Sequence, residues 1–127
     1  MRRRRLLLFP AALVLVLGLA ACGGGGSNSG YKEPSGPAGA QLTFSAKNFA
    51  FTPDKATAPA GIIGITLKST SGGHDFVIDG VPGFKLTVPG SGDTDSAKVD
   101  LEKGKYTFYC SLPGHRAAGM VGTLTVT

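Results

Sequence analysis

The chain has 127 residues, a length typical of one domain, and a formal net charge of +5 at pH 7. Four of its 13 basic residues lie at positions 2–5, and the other nine nearly balance the eight acidic residues. No basic stripe remains beyond position 5 to hold a phosphate backbone, which argues against nucleic-acid binding.

Residues 1–21 have the layout of an export signal. A basic run at positions 2–5 is followed by an apolar run at 6–19 and by small residues before Cys22. The segment "LAAC" resembles the lipobox of bacterial lipoproteins, in which the cysteine is acylated. We therefore expect an exported protein, held by lipid on Cys22 to the outer face of the cell membrane or in the periplasm. The alternatives are a simple secretory signal or an uncleaved anchor, with an unmodified Cys22.

Residues 22–39 are almost devoid of hydrophobic side chains after the cysteine. The composition of "GGGGSNSGYKEPSGPAG" predicts a flexible linker between the anchor and a domain at residues 40–127. Such a coil spans roughly 20–25 Å on average, which would let the domain move above a membrane surface.

From Ala40 onward, apolar and polar residues alternate in short segments, a pattern typical of half-buried strands. In chain order the segments are "QLTFSA", "IIGITLKS", "HDFVID", "AKVDL", "KYTFYC" and "GTLTVT", with turns such as "TPDK" and "DGVPG" between them. We predict an all-β domain, an antiparallel Greek-key β-sandwich of about seven or eight strands. We expect its core to include Phe76, Phe84, Tyr106 and Phe108.

Cys110 is the one cysteine of this domain, and its only possible disulfide partner, Cys22, is expected to carry lipid. Free thiols outside the cell tend to oxidise, which suggests that something occupies this thiol. In "YCSLPGHRAAGM", Cys110 is followed by His115 and Met120 with Cys-x4-His-x4-Met spacing. All three side chains can bind a soft metal ion.

His74, at the start of "HDFVID", is a fourth candidate ligand, because Greek-key pairing can bring that strand end beside the cysteine loop. One thiolate, two imidazoles and a thioether favour copper, since sulfur ligands stabilise Cu(I) and imidazole also accepts Cu(II). Two histidines, a cysteine and a weak axial methionine form the ligand set of blue-copper electron-transfer centres. Zinc also binds two histidines and a cysteine, but has little use for a thioether.

The segments "GHDFVID" and "YTFYCSLPGHRAAGMVGTLTV" give residues 40–127 a resemblance to the cupredoxin family of small type 1 (blue) copper proteins. The resemblance implies a single copper ion with four ligands: His74, Cys110, His115 and Met120. It also implies that the ring edge of His115 is the electron port. A small apolar docking patch would surround it, formed by Leu112, Pro113, Ala117 and Ala118.

Asp75 departs from the family pattern, which often has asparagine at this position. In the family this residue ties the two ligand loops together, and its backbone N–H supports the cysteine sulfur. An aspartate keeps that backbone donor and can still accept a hydrogen bond from Ser111. Because it adds negative charge, we expect Asp75 to favour Cu(II) and to lower the reduction potential.

These features predict a carrier of single electrons. Its donor and acceptor would be membrane-associated redox proteins, such as a cytochrome or a copper or haem oxidoreductase, that dock near His115. We expect the carrier itself to be a monomer. The main alternative is a protein for copper storage or delivery, and a metal-free interaction module on the same fold is a further one. An enzyme is not expected, because both histidines serve the one site and no Ser-His-Asp set or carboxylate pair stands out.

Overall fold

The computed structural model describes residues 30–127, and these form a sandwich of two β-sheets. The nine strands are β1 (Ala40–Lys47), β2 (Ala50–Thr52), β3 (Lys55–Ala58), β4 (Gly61–Ser69), β5 (His74–Ile78), β6 (Lys85–Val88), β7 (Thr94–Leu101), β8 (Gly104–Tyr109) and β9 (Val121–Val126). Within this described part, no helix could cross a membrane. The expected leader, Cys22 and the first part of the predicted linker lie outside it.

The two sheets confirm the predicted all-β sandwich. One sheet has the strand order β2-β1-β4-β7, and the other has the order β3-β9-β8-β5-β6. Strands β5 and β8 pair antiparallel in the second sheet, with Val77 opposite Tyr109 and Ile78 opposite Phe108. This pairing brings the start of β5 and the end of β8 to the same end of the sandwich.

The sheets are mixed, and residues 30–127 contain nine strands where seven or eight were predicted. Strand β2 has three residues, and β3 and β6 have four each, too few for alternation to stand out. Strands β1 and β4 pair in parallel, as do β3 and β9. Between β1 and β4 the chain crosses to the second sheet through β3, so it returns to the first sheet in its original direction.

Three buried phenylalanine rings fill the core beneath the candidate site. The centroids of Phe44, Phe76 and Phe108 lie 4.8–4.9 Å apart, with the last two rings stacked. Phe76 follows His74 by two residues, and Phe108 precedes Cys110 by two, so this contact fixes the two strands that carry candidate ligands. Phe84 is buried as expected. Tyr106 is half-buried, and its hydroxyl donates to the Glu102 carbonyl at 2.9 Å.

The segment at residues 30–39 lies against the sandwich. The Tyr31 ring meets Phe84 edge-on at 5.3 Å between centroids, and its hydroxyl donates to the Lys98 carbonyl at 3.0 Å. The Lys98 ammonium in turn donates to the Gly36 carbonyl at 2.8 Å. The predicted linker therefore includes at least two residues, Tyr31 and Gly36, that contact the domain.

Candidate metal centre

Three side chains from two strand ends and one loop converge at one end of the sandwich. His74 opens β5, Cys110 directly follows β8, and His115 lies in the loop between β8 and β9. Their nitrogen and sulfur atoms all lie within 4.8 Å of one another. The structure thus brings together three of the four predicted metal-binding side chains.

The distances between these atoms fit a single ion. The Nδ1 atoms of His74 and His115 are 3.3 Å apart, and Cys110 Sγ is 3.5 Å from the same atom of His115. An ion with bonds of about 2.0 Å to nitrogen and 2.3 Å to sulfur holds such atoms at separations of this size. One thiolate and two imidazoles are a donor set that suits copper.

Hydrogen bonding orients the His74 ring toward the site. Its Nε2 atom lies 2.6 Å from the Ser71 carbonyl, to which it donates, so Nδ1 keeps a lone pair for a metal. The ring is only 1% exposed. A Cβ on Gly73 would lie 2.7 Å from the Pro89 carbonyl oxygen, so the chain before His74 passes where only glycine fits.

The loop between β8 and β9 is closed by backbone hydrogen bonds that involve Met120. The Met120 N–H donates to the His115 carbonyl, and the Cys110 N–H donates to the Met120 carbonyl, both at 3.1 Å. Gly114 and Gly119 have φ angles of 80° and 118°, which side-chain-bearing residues rarely adopt. Met120 is fully buried, and these bonds place it beside Cys110 and His115.

Asp75 ties the two ligand-bearing segments together. Its backbone N–H points to Cys110 Sγ at 3.4 Å. Its carboxylate accepts hydrogen bonds from the backbone N–H and the hydroxyl of Ser111, each at 2.5 Å. The side chain is 1% exposed, so its charge is held away from water close to the candidate ligands.

Lys85 on β6 contacts this carboxylate and was missed by the sequence reasoning. Its Nζ atom lies 3.2 Å from Asp75 Oδ2. In the β5–β6 register Lys85 stands opposite Val77 and Thr87 opposite Asp75, so Lys85 and Asp75 are diagonal neighbours on one face. No sequence signal marked this contact, because β6 was not predicted as a strand.

Among the described residues, the Cys110 thiol is buried and forms no disulfide bond. Burial raises its pKa, and the nearby charge of Asp75 acts in the same direction. Hydrogen bonds from the backbone N–H groups of Asp75 and Leu112 oppose the rise, because they stabilise the thiolate. A metal ion that binds here must therefore displace the thiol proton.

The surface over the site is largely apolar. Leu112 is half-buried there, and Pro113, Ala117 and Ala118 are exposed. A groove of about 440 Å³ runs along this loop from Tyr109 to Ala117. Phe49, which the sequence reasoning also missed, is 45% exposed, and its ring meets the His115 ring edge-on at 4.9 Å.

Comparisons with known proteins agree with this geometry. A family model described as copper binding proteins, plastocyanin/azurin family, matches residues 38–127. A plastocyanin from Solanum crispum is 39% identical over 90 residues, covering 61% of this chain and 87% of that protein. An azurin from Pseudomonas fluorescens biotype C is 51% identical over 41 residues, covering 29% of this chain and 31% of the azurin.

Solved structures show the same fold at lower sequence identity. Auracyanin B superposes with a TM-score of 0.66 at 22% identity, covering 81% of this chain and 96% of that one. Reduced auracyanin from Roseiflexus castenholzii gives a TM-score of 0.62 at 23% identity, covering 72% and 99%.

Proposed function

The chain belongs to the plastocyanin/azurin family of copper-binding proteins, and from this premise we propose that it is an exported, membrane-tethered carrier of single electrons. It is a small blue copper protein and not an enzyme. The observation that carries the proposal is the convergence of the His74, Cys110 and His115 donor atoms within 4.8 Å.

We assign four ligands to one type 1 copper ion: His74, Cys110, His115 and Met120. Cys110 would supply the strong thiolate bond, the two histidines would complete a trigonal plane, and Met120 would be the weak axial ligand that helps set the potential. The donor distances and the buried position of Met120 support this assignment.

When bound, copper supplies the Cu(I)/Cu(II) couple. The surrounding residues would then hold the ligands in similar positions in both oxidation states. His74 is held by Ser71 and Asp75 by Ser111, while the loop of His115 is closed through the backbone of Met120. Because the ligands would move little when an electron arrives or leaves, the reorganisation energy of electron transfer would be small.

Electrons would enter and leave through His115, the one member of the His-Cys-His group that is not fully buried. The apolar surface around it suits brief contact with a redox partner protein, such as a cytochrome or a copper or haem oxidoreductase. Phe49, an exposed apolar residue whose ring contacts the His115 ring, adds to the apolar surface there.

We further propose that lipid on Cys22 holds the protein at the outer face of the cell membrane or in the periplasm. The support is the "LAAC" segment after a basic and apolar leader. Mass spectrometry of the membrane-extracted protein tests this, because acylation adds the mass of the fatty chains to a peptide that begins at Cys22.

The decisive experiment is an absorption spectrum of the copper-loaded, oxidised protein. We expect an intense visible band from thiolate-to-copper charge transfer, and its loss in Cys110→Ser. A Met120→Leu variant should keep the band, because the thiolate bond remains. A colourless copper-loaded wild type, or a band that survives in Cys110→Ser, would refute the assignment.

Copper storage or delivery is the alternative function. Such a protein must exchange its metal readily, yet His74, Cys110 and Met120 are all buried here, which favours a permanently held ion. The rate of copper release to a chelator and the self-exchange rate between reduced and oxidised protein separate the two functions. Slow release with fast self-exchange supports the electron carrier.

A further inference from the structure

We propose that Lys85 is a positioning residue of the copper site, whose ammonium group holds the Asp75 carboxylate and offsets its negative charge. On this view the charge that acts on the reduction potential is that of the Lys85–Asp75 pair and not that of Asp75 alone. The inference rests on the proposed function, since it assigns a role toward the same copper ion.

The first step is the set of contacts around the carboxylate. Asp75 Oδ2 receives both the Ser111 hydroxyl and the Lys85 ammonium, while Oδ1 receives the Ser111 backbone N–H. Ser111 directly follows Cys110, and the Asp75 N–H points to the Cys110 sulfur. A displacement of the carboxylate therefore reaches the Cys110 sulfur by two routes, through Ser111 and through the Asp75 backbone N–H.

The second step is the burial of the charge. A carboxylate removed from water is strongly destabilising unless it is hydrogen-bonded and paired with an opposite charge. Ser111 supplies neutral donors only, and Lys85 is the cation that the structure places in an ion pair with Asp75. The Lys85 side chain is 42% exposed, so its stem reaches inward from the surface to the carboxylate.

The third step is the effect on copper. When Lys85 is replaced by a neutral residue, the negative charge of Asp75 near the thiolate is no longer balanced. That charge favours Cu(II) over Cu(I). The potential should fall, opposite in sign to the rise expected for Asp75→Asn. We expect about a three- to tenfold change in the Cu(II)/Cu(I) ratio at a fixed potential, where tenfold corresponds to about 59 mV for one electron.

The test is a redox titration of four full-length, copper-loaded proteins, followed through the visible band. They are the wild type, Lys85→Met, Asp75→Asn and the double variant. We expect Lys85→Met to lower the potential in the wild-type background and to have a smaller effect in the Asp75→Asn background. Lys85→Arg, which keeps the positive charge, should stay close to the wild type.

Lys105→Met is the matched control, because it removes one positive charge from an exposed position at the far end of β8. The proposal is overturned if Lys85→Met shifts the potential no more than this control, or by the same amount in both Asp75 backgrounds. If Lys85→Met fails to load copper, loading restored by Lys85→Arg supports the proposal, and loading not restored contradicts it.

The failure of this inference is distinct from the failure of the proposed function. A wild type without a visible band refutes the copper site itself. If the wild type is blue but its potential does not change when Lys85 is substituted, the proposed electron-carrier function stands and only the role of the ion pair is refuted.

Discussion

At the scale of single residues, the candidate ligands could be predicted because their chemistry is visible in their residue types. A cysteine, two histidines and a methionine bind soft metals wherever the fold gathers them, and three of them share one loop. Lys85 and Phe49 could not be found in this way. Their roles depend on which strand pairs with β5 and on which loop lies beside His115. Residue type indicates neither of these.

The raised pKa of Cys110 predicts that copper uptake releases a proton. Below that pKa the thiol of the metal-free protein is protonated, so binding must displace the proton, and copper affinity should rise with pH. In weakly buffered solution between pH 7.5 and 8.5, we expect about one proton released per Cu(II) bound. A pH indicator measures the release, and Cys110→Ser should lack it. Uptake by the wild type without proton release would contradict a protonated thiol.

The Asp75 charge predicts a potential below that of its neutral counterpart. Asp75→Asn keeps the backbone N–H to Cys110 and an oxygen that can accept from Ser111, but it removes the charge that favours Cu(II). Redox titration should give a higher potential for the variant. An unchanged or lower potential would contradict the predicted effect of the carboxylate charge on the copper.

At the scale of elements, the longer strands could be predicted because their alternation runs through at least two full periods. Strands β1, β4 and β7 have eight or nine residues each, and their apolar positions face the core as expected. Strands β3 and β6 have four residues each and lie between turn-rich segments. They are defined by their pairing, β3 with the distant strand β9 and β6 with the preceding strand β5, which local alternation does not report.

Strand β6 carries a polar group that offers a test of stability. Among the described residues, Thr87 Oγ1 is the buried side-chain oxygen without a hydrogen-bond partner. Because an unsatisfied buried hydroxyl is destabilising, Thr87→Val should raise the free energy of unfolding by about 1 kcal/mol. Thermal unfolding of the metal-free protein measures the change, with the exposed Thr43→Val as control. An equal or lower melting temperature for Thr87→Val would indicate that the hydroxyl is satisfied.

At the scale of the whole molecule, the structure shows contacts at residues 30–39 that composition did not predict. Residues 30–39 have the composition of a linker, and composition predicts only how much apolar surface a segment can bury. Tyr31 attaches this segment through its ring, which meets Phe84, and its hydroxyl, which donates to the Lys98 carbonyl. The Lys98 ammonium adds a bond to the Gly36 carbonyl. The sandwich itself could be predicted, since it follows from many alternating strands together.

Attachment of this segment predicts a stability effect with a defined pH dependence. Tyr31→Phe should lower the free energy of unfolding by about 1 kcal/mol at neutral pH through the lost hydrogen bond. Burial, with added effects of Glu33 and Asp100, raises the pKa of Tyr31. The folded state thus keeps this proton longer than the unfolded state, and the Tyr31 contribution is lost as pH rises above about 10. Denaturant unfolding at pH 7 and pH 11 should show the difference between the two proteins shrinking.

The apolar surface at the copper end predicts how two copies exchange electrons. Phe49→Lys would place like charges opposite each other when two molecules meet through this surface, while leaving all four proposed ligands intact. Self-exchange, measured by NMR line broadening in mixtures of reduced and oxidised protein, should slow by about tenfold. Thr43→Lys adds the same charge to β1 and should leave the rate unchanged. Equal rates for the two variants would place the contact surface elsewhere.

The position of Tyr31 also fixes which end of the domain lies nearest to an attachment made through the N-terminal segment. Strand β5 starts with His74, and the loop after it meets Tyr31 through Gly83 and Phe84, so the copper end and the attachment point are separated by the length of the strand. Five residues of strand alone span roughly 16 Å. Coupling the chain to an electrode through a residue before Tyr31 should therefore present the His115 face to the solution, ready for dissolved reactants.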